Sequence, residues 1–160
     1  MSPETRHLTL HLSTADDTAR LATRLGAGLR AGDVLLLDGP IGAGKTHFAR
    51  ALIRSLLAAP EDVPSPTFTL VQSYDGPECE IWHSDLYRLG HPDEVVELGL
   101  TDAFDTAICL VEWPDRLGDL APDSALTLAF APGPEEEARA VAISWQDARW
   151  DDRMKELADG

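Results

Sequence analysis

Apolar residues recur along this chain in two rhythms, and each change of rhythm marks a new element. Between Arg6 and Ser13, Leu8, Leu10 and Leu12 alternate with Thr9 and His11, the period of a half-buried strand. Residues 15–30 switch to helical spacing, with Ser13 or Thr14 placed to cap the start. Residues 33–39 (DVLLLDG) form a short continuous apolar run ending in glycine, as a buried parallel strand should. Residues 45–58 return to helical spacing and place Phe48, Leu52 and Leu56 on one stripe. Pro64 and Pro66 force the residues before them to be extended, so 63–70 reads as a loop entering a strand. Residues 67–74 and 79–88 flank Asp75-Gly76-Pro77, which predicts an antiparallel hairpin.

Further along, Pro92 and Asp93 start a short helix over 91–100 that Gly99 should stop. A second continuous apolar run, within 107–113, is expected beside the 33–39 strand. Residues 125–145 read as two strands around a Pro/Gly/Glu loop, and 145–158 as a terminal helix. No repeat or linker interrupts the order, and a chain of 17.4 kDa buries roughly two-thirds of its unfolded surface, enough for one core. A single domain over 1–160 is the expectation.

Chemistry enters at GPIGAGKTHF, residues 39–48. The spacing fits G-x-x-x-x-G-K-[ST], in which glycine-rich main-chain N–H groups wrap phosphate oxygens and the lysine reaches the outer ones. Here the grip comprises Gly39, Gly42, Ala43, Gly44, Lys45 and Thr46, between a predicted strand and a predicted helix, which is the context the motif requires. Lys45 is the first of only two lysines in the chain. Thr46 offers a hydroxyl to magnesium, and such sites draw a further oxygen from an acid at the end of a neighbouring strand. Glu112 and Asp85 both qualify. Glu112 ends an apolar run at the carboxyl edge of the predicted sheet, and Asp85 shares a strand face with His83 and Ile81. Either could bind metal or orient water. A zinc site at His83 and Asp85 lacks an evident third ligand.

Charge narrows the partners. The net charge is -15, and residues 60–114 carry one basic residue, Arg88, against twelve acids. Strong direct binding to nucleic acid, which needs clustered Lys and Arg, is not expected. Cys79 and Cys109 stand apart without a C-x-x-C, so neither a disulfide framework nor a zinc site is suggested. No run of 18 apolar residues occurs, so no membrane association is expected and the expected location is the cytoplasm.

VPSPTFTL, HSDLYRL, DEVVELGL, ICLVEWPDR and GPIGAGKTHF, in this order and spacing, resemble the TsaE family (also called YjeE), the ATPase of bacterial tRNA threonylcarbamoyladenosine modification. The resemblance runs from about Thr14 to Arg116. It implies a three-layer α/β P-loop NTPase fold of Rossmann type, with a mainly parallel central sheet and an added antiparallel hairpin. It also implies ATP and magnesium as ligands and a TsaB–TsaD complex as protein partner, with ATP hydrolysis weak in the isolated protein. By the same resemblance Thr46 and Glu112 serve the metal and Asp85 assists hydrolysis. Ser65 and Thr67 belong to a switch-like loop near the γ-phosphate, and Trp113 matches a tryptophan beside the metal ligand. Pro40, Ile41 and His47 depart from the family pattern, with side chains expected to point away from the phosphates. Thr14 and Thr18 are candidates for the adenine side by position.

Three rival readings follow from the same motif. A GTPase needs an N-K-x-D guanine reader, and the chain has no asparagine. A small-molecule kinase usually carries an arginine-bearing lid, which the single Arg88 between Asp62 and Asp115 argues against. An ATP-dependent assembly switch without catalytic purpose needs the same site as a hydrolase.

Overall fold

The computed structural model describes residues 5–57, 63 and 70–159. The Ser-Pro-Thr segment with Ser65 and Thr67, the extended entry at Pro64 and Pro66, and the start of the strand predicted from residue 67 lie outside the described residues.

In chain order the elements are β1 (Arg6–Leu12), α1 (Ala15–Gly26), β2 (Val34–Asp38), α2 (Lys45–Leu56), β3 (Val71–Asp75), β4 (Glu80–Asp85), α3 (Asp93–Glu97), α4 (Leu100–Thr106), β5 (Ile108–Glu112), β6 (Leu126–Pro132), β7 (Arg139–Trp145) and α5 (Asp151–Asp159). Thr14, rather than Ser13, caps α1: its hydroxyl accepts the Asp17 N–H at 3.1 Å, while the Asp17 carboxylate accepts from Ser13 N at 3.1 Å. The helix ends at Gly26, short of the predicted Arg30. Gly99 stops α3 as expected, but its left-handed backbone also starts α4, an element that the hydrophobic spacing did not separate. The terminal segment divides into β7 through Trp145, a 3-10 turn at Ala148–Trp150, and α5.

All seven strands join one sheet in the order β1-β7-β6-β2-β5-β4-β3. The four inner strands β6, β2, β5 and β4 run parallel, and β2 sits beside β5 as the two apolar runs predict. The expected hairpin is present as β3 and β4, with β3 antiparallel on one edge. On the other side β7 and β1 extend the sheet antiparallel.

Because strand side chains alternate, the central strands supply two cores. Leu35 and Leu37 of β2 pack with Phe48 and Leu52 of α2 on the face that also carries α1 and α5. Val34 and Leu36 pack with Val95, Leu100 and Phe104 on the face of α3 and α4. Fully burying each Leu or Phe of this kind contributes about 2 kcal/mol, so both cores fix β2 and β5 firmly. That rigidity matters because both strands end at the carboxyl edge, where an open α/β sheet builds its ligand crevice.

Candidate functional site

The crevice begins where β2 ends. Gly39 has φ 137°, and a Cβ there would stand 2.5 Å from the carbonyl oxygen of Phe130 on β6, so only glycine fits the turn. The chain then loops through Gly42 to Gly44, which at φ 100° forms the N-terminal boundary of α2. The amino end of α2 therefore points into the crevice with its unpaired N–H groups, the polarity that favours an anion.

Lys45, the first residue of α2, is 4 % exposed. Its ammonium donates to Gly39 O at 2.5 Å and lies 3.4 Å from the ring centroid of Trp113. Burial pulls the Lys45 pKa below its ordinary 10.5, with Glu112, Asp38, Asp85 and Asp115 opposing that shift. Trp113 reaches this position through a left-handed backbone, φ 61°, unusual for a bulky residue, immediately after β5. Tyr87 packs on its ring at 4.9 Å between centroids.

β5 delivers Glu112 to the same place. Its side chain is 2 % exposed; Oε1 accepts from the Thr46 hydroxyl at 2.7 Å, and Oε2 accepts from the His83 imidazole Nε2 at 2.7 Å. Parallel pairing of β4 with β5 sets Asp85 directly beside Glu112. Asp85 Oδ1 accepts the Tyr87 N–H at 3.1 Å, the turn-capping use that its position after the strand allows.

A cavity of about 540 Å³ joins these groups, lined by Gly42, Gly44, Lys45, Thr46, Asp85 and Glu112 together with Ile41, His47, Tyr87, Arg88, Trp113 and Arg139. The sequence-predicted phosphate grip and both acids thus meet in one place. Gly39 contributes through the Lys45 contact, and Ala43 through its carbonyl, which accepts from Arg139 at 2.8 Å. Thr14 and Thr18 lie outside the lining: one hydroxyl caps α1, and the other, 2 % exposed, donates to Thr14 O at 3.4 Å. The Thr14 hydroxyl thus serves as a helix cap and the Thr18 hydroxyl as a bond within α1. Ile41 and His47, expected to face away, both line the cavity, and His47 Nε2 donates to Ala15 O at 3.0 Å.

Two contributors escaped the sequence. His83 serves Glu112 rather than a zinc ion, which the parallel register of β4 on β5 reveals and spacing alone does not. Arg139 arrives from β7, nearly a hundred residues after the loop it touches. Among the described residues no group of three or more His, Cys, Asp or Glu side chains could cage a metal. A hydroxyl and a carboxylate 2.7 Å apart do suit a hard cation that takes its remaining oxygens from water and a ligand's phosphates, as magnesium does. Among the described residues no helix is long and apolar enough to cross a membrane.

Comparisons with known proteins point to one family. The family model described as threonylcarbamoyl adenosine biosynthesis protein TsaE matches residues 12–141. The tRNA threonylcarbamoyladenosine biosynthesis protein TsaE of Rickettsia felis is 40% identical over 111 residues, 69% of this chain and 65% of that protein, just under two-thirds of its length. The protein of the same name from Bacillus subtilis is 31% identical over 144 residues, 89% of each chain. The crystal structure of Bacillus subtilis YdiB superposes with a TM-score of 0.82 at 27% identity, covering 99% of this chain and 98% of that one. With the family model spanning most of the sequence and the fold shared from end to end, the chain belongs to the TsaE family of threonylcarbamoyladenosine biosynthesis proteins.

Proposed function

We propose that the protein binds ATP with magnesium in this crevice and hydrolyses it in support of tRNA threonylcarbamoyladenosine formation in the cytoplasm, acting on a TsaB–TsaD complex. The observation that carries the reading is the bond from Thr46 to Glu112 at 2.7 Å beside the buried Lys45: it gathers a hydroxyl, a carboxylate and an ammonium at the amino end of α2.

In this reading the N–H groups of the loop and of the first turn of α2 receive the phosphates. Lys45 exchanges Gly39 O for the outer phosphates, a charge-assisted bond replacing a neutral one. Thr46 and Glu112 would hold magnesium, which would supply positive charge beside the phosphates. Glu112 has both carboxylate oxygens engaged, by Thr46 and by His83, which holds its orientation beside the Thr46 hydroxyl and supports the ligand role. Asp85, on the neighbouring strand and lining the same cavity, is then the acid that orients the attacking water. Trp113 shields one side of the Lys45 charge from solvent.

ATP turnover measured with and without purified TsaB and TsaD tests the proposal. Stimulation by the pair, and loss of turnover in Lys45→Ala with the fold retained, are the expected results. Tight ATP binding with no turnover under either condition favours an assembly switch instead.

A further inference from the structure

Arg139 opens β7 and sends its guanidinium across to the loop between β2 and α2. Nε donates to Ala43 O at 2.8 Å, Nη2 to Gly42 O at 3.2 Å, and Nη1 to Glu136 O and Ala138 O, each at 2.8 Å. All four bonds end on main-chain carbonyls, although three glutamates, Glu135 to Glu137, immediately precede Ala138. The base of this fork is itself tied down. Gly133 N donates to Ala138 O at 2.8 Å and Ala138 N to Glu135 O at 3.1 Å, while Glu137 Oε1 accepts from Ala15 N at 3.1 Å.

The direction of those carbonyls has a consequence. A peptide unit is planar and trans, so the N–H of Ala43 points opposite to Gly42 C=O, and the N–H of Gly44 opposite to Ala43 C=O. Both amides therefore face away from the guanidinium. The Ala43 N–H is taken up within the loop, donating to Pro40 O at 3.2 Å, so the amide that this arrangement turns outward is that of Gly44. Gly42 and Gly44, at φ 81° and 100°, bring no side chain that could hold these planes. A flipped plane would turn a carbonyl oxygen toward a bound phosphate.

We infer that Arg139 is a positioning residue for phosphate binding: its fork clamps the carbonyls of Gly42 and Ala43 and so aims the amide of Gly44 at the phosphates. The inference rests on the ATP reading above. Two donors in a rigid plane are what the two successive carbonyls require, and a lysine ammonium on a flexible stem does not reproduce them.

The test compares wild type, Arg139→Ala and Arg139→Lys. Calorimetric titration with Mg-ATP and Mg-ADP reads affinity, and hydrogen exchange in the nucleotide-free protein reads the loop amides. In Arg139→Ala both nucleotides weaken by a similar factor, about tenfold, the amides of residues 42–44 exchange faster, and exchange in β2 and β5 is unchanged. Arg139→Lys resembles Arg139→Ala; it carries the test alone if the alanine variant does not fold. Restoration of affinity by lysine overturns the inference in favour of simple charge. A loss much larger for ATP than for ADP overturns it in favour of direct contact with the γ-phosphate, and unchanged exchange at residues 42–44 overturns it outright. Wild-type protein that binds neither nucleotide removes the ATP reading instead, and the exchange measurement still judges the clamp.

Discussion

Two buried carboxylates sit at opposite edges of the same sheet, each 2 % exposed, and they are held in opposite ways. Asp33, just before β2 at the amino edge, accepts from Arg30 N at 2.8 Å and pairs with Arg153 at 2.6 Å and Arg149 at 3.4 Å. Glu112, at the carboxyl edge, is held by the hydroxyl of Thr46 and the imidazole of His83. Asp33 is closed by permanent cations and ties the 3-10 turn before α5, and α5 itself, to the sheet. Glu112 lines a cavity and, among the described residues, no guanidinium is hydrogen-bonded to it, which on the proposed reading leaves its negative charge to a cation brought by a ligand. Burial alone does not separate the two acids; on the proposed reading the charge of their partners does.

The sharpest way to break this contrast is at the functional edge. Asp85→Ala is expected to leave Mg-ATP binding within a few-fold and lower single-turnover hydrolysis by about 10²–10⁴, the span for a lost general base. Glu112→Ala is expected to weaken magnesium-dependent binding as well as turnover. Paired calorimetry and single-turnover kinetics check both. If Asp85→Ala loses binding while Glu112→Ala keeps binding and turnover, the roles of the acids are reversed.

At the amino edge the expected effect lies on stability. Asp33→Ala removes the acid from two arginines that are partly exposed and can rehydrate, so the cost is about 3 kcal/mol, seen as a melting temperature roughly 10 °C lower. Turnover per folded molecule stays within about twofold. Glu112→Gln shows the opposite pattern, with lost turnover and little change in melting. Equal loss of stability in both variants would erase the distinction between the edges.

This contrast also marks where the sequence was legible. The loop from Gly39 to Thr46, its strand and helix, and Glu112 at the end of β5 are local patterns, and residues a few positions apart sufficed to place them. The clamp on Asp33 was not legible, because it joins residues about 120 positions apart. Arg139 on the loop carbonyls is hidden for the same reason. Helix α4 was missed because the left-handed Gly99 that ends one helix begins another, and composition does not distinguish those uses. His83 was visible as a polar residue on a strand, but its partner depends on which strand β4 pairs with. Thr14 illustrates a different limit: position along the chain suggests a ligand contact, while its hydroxyl serves as the cap of α1.

Ligand addition sharpens the comparison further. Mg-ATP at about 100 times Kd should stabilise the wild type by about 2.7 kcal/mol, because a ligand bound only to the native state shifts unfolding by mass action. Asp33→Ala keeps this increment on its lower baseline, and Glu112→Ala loses most of it. Thermal unfolding with ATP, GTP and EDTA measures the effect. ATP is expected to exceed GTP, since no guanine-reading motif exists, and a larger shift with GTP would reject that choice.

The smallest expected effect comes from the strand between the two edges. Cys109 is the second residue of β5, fully buried, its N–H donating to Asp33 O at 3.0 Å. Burial pushes its thiol from an ordinary 9.0 up to about 12. Between these values the unfolded chain releases the proton and the folded chain keeps it, so the unfolded state binds fewer protons and stability falls as pH rises above about 9. The slope approaches about 1.4 kcal/mol per pH unit. Lys45 acts with the opposite sign: its lowered pKa means that the folded state releases a proton first, which adds stability as pH rises toward 10.5. Denaturant unfolding from pH 8 to 11 should therefore show a shallower decline in Cys109→Ala and a steeper one in Lys45→Met. An unchanged decline in Cys109→Ala would mean that the thiol ionises without unfolding and that the start of β5 is open to solvent.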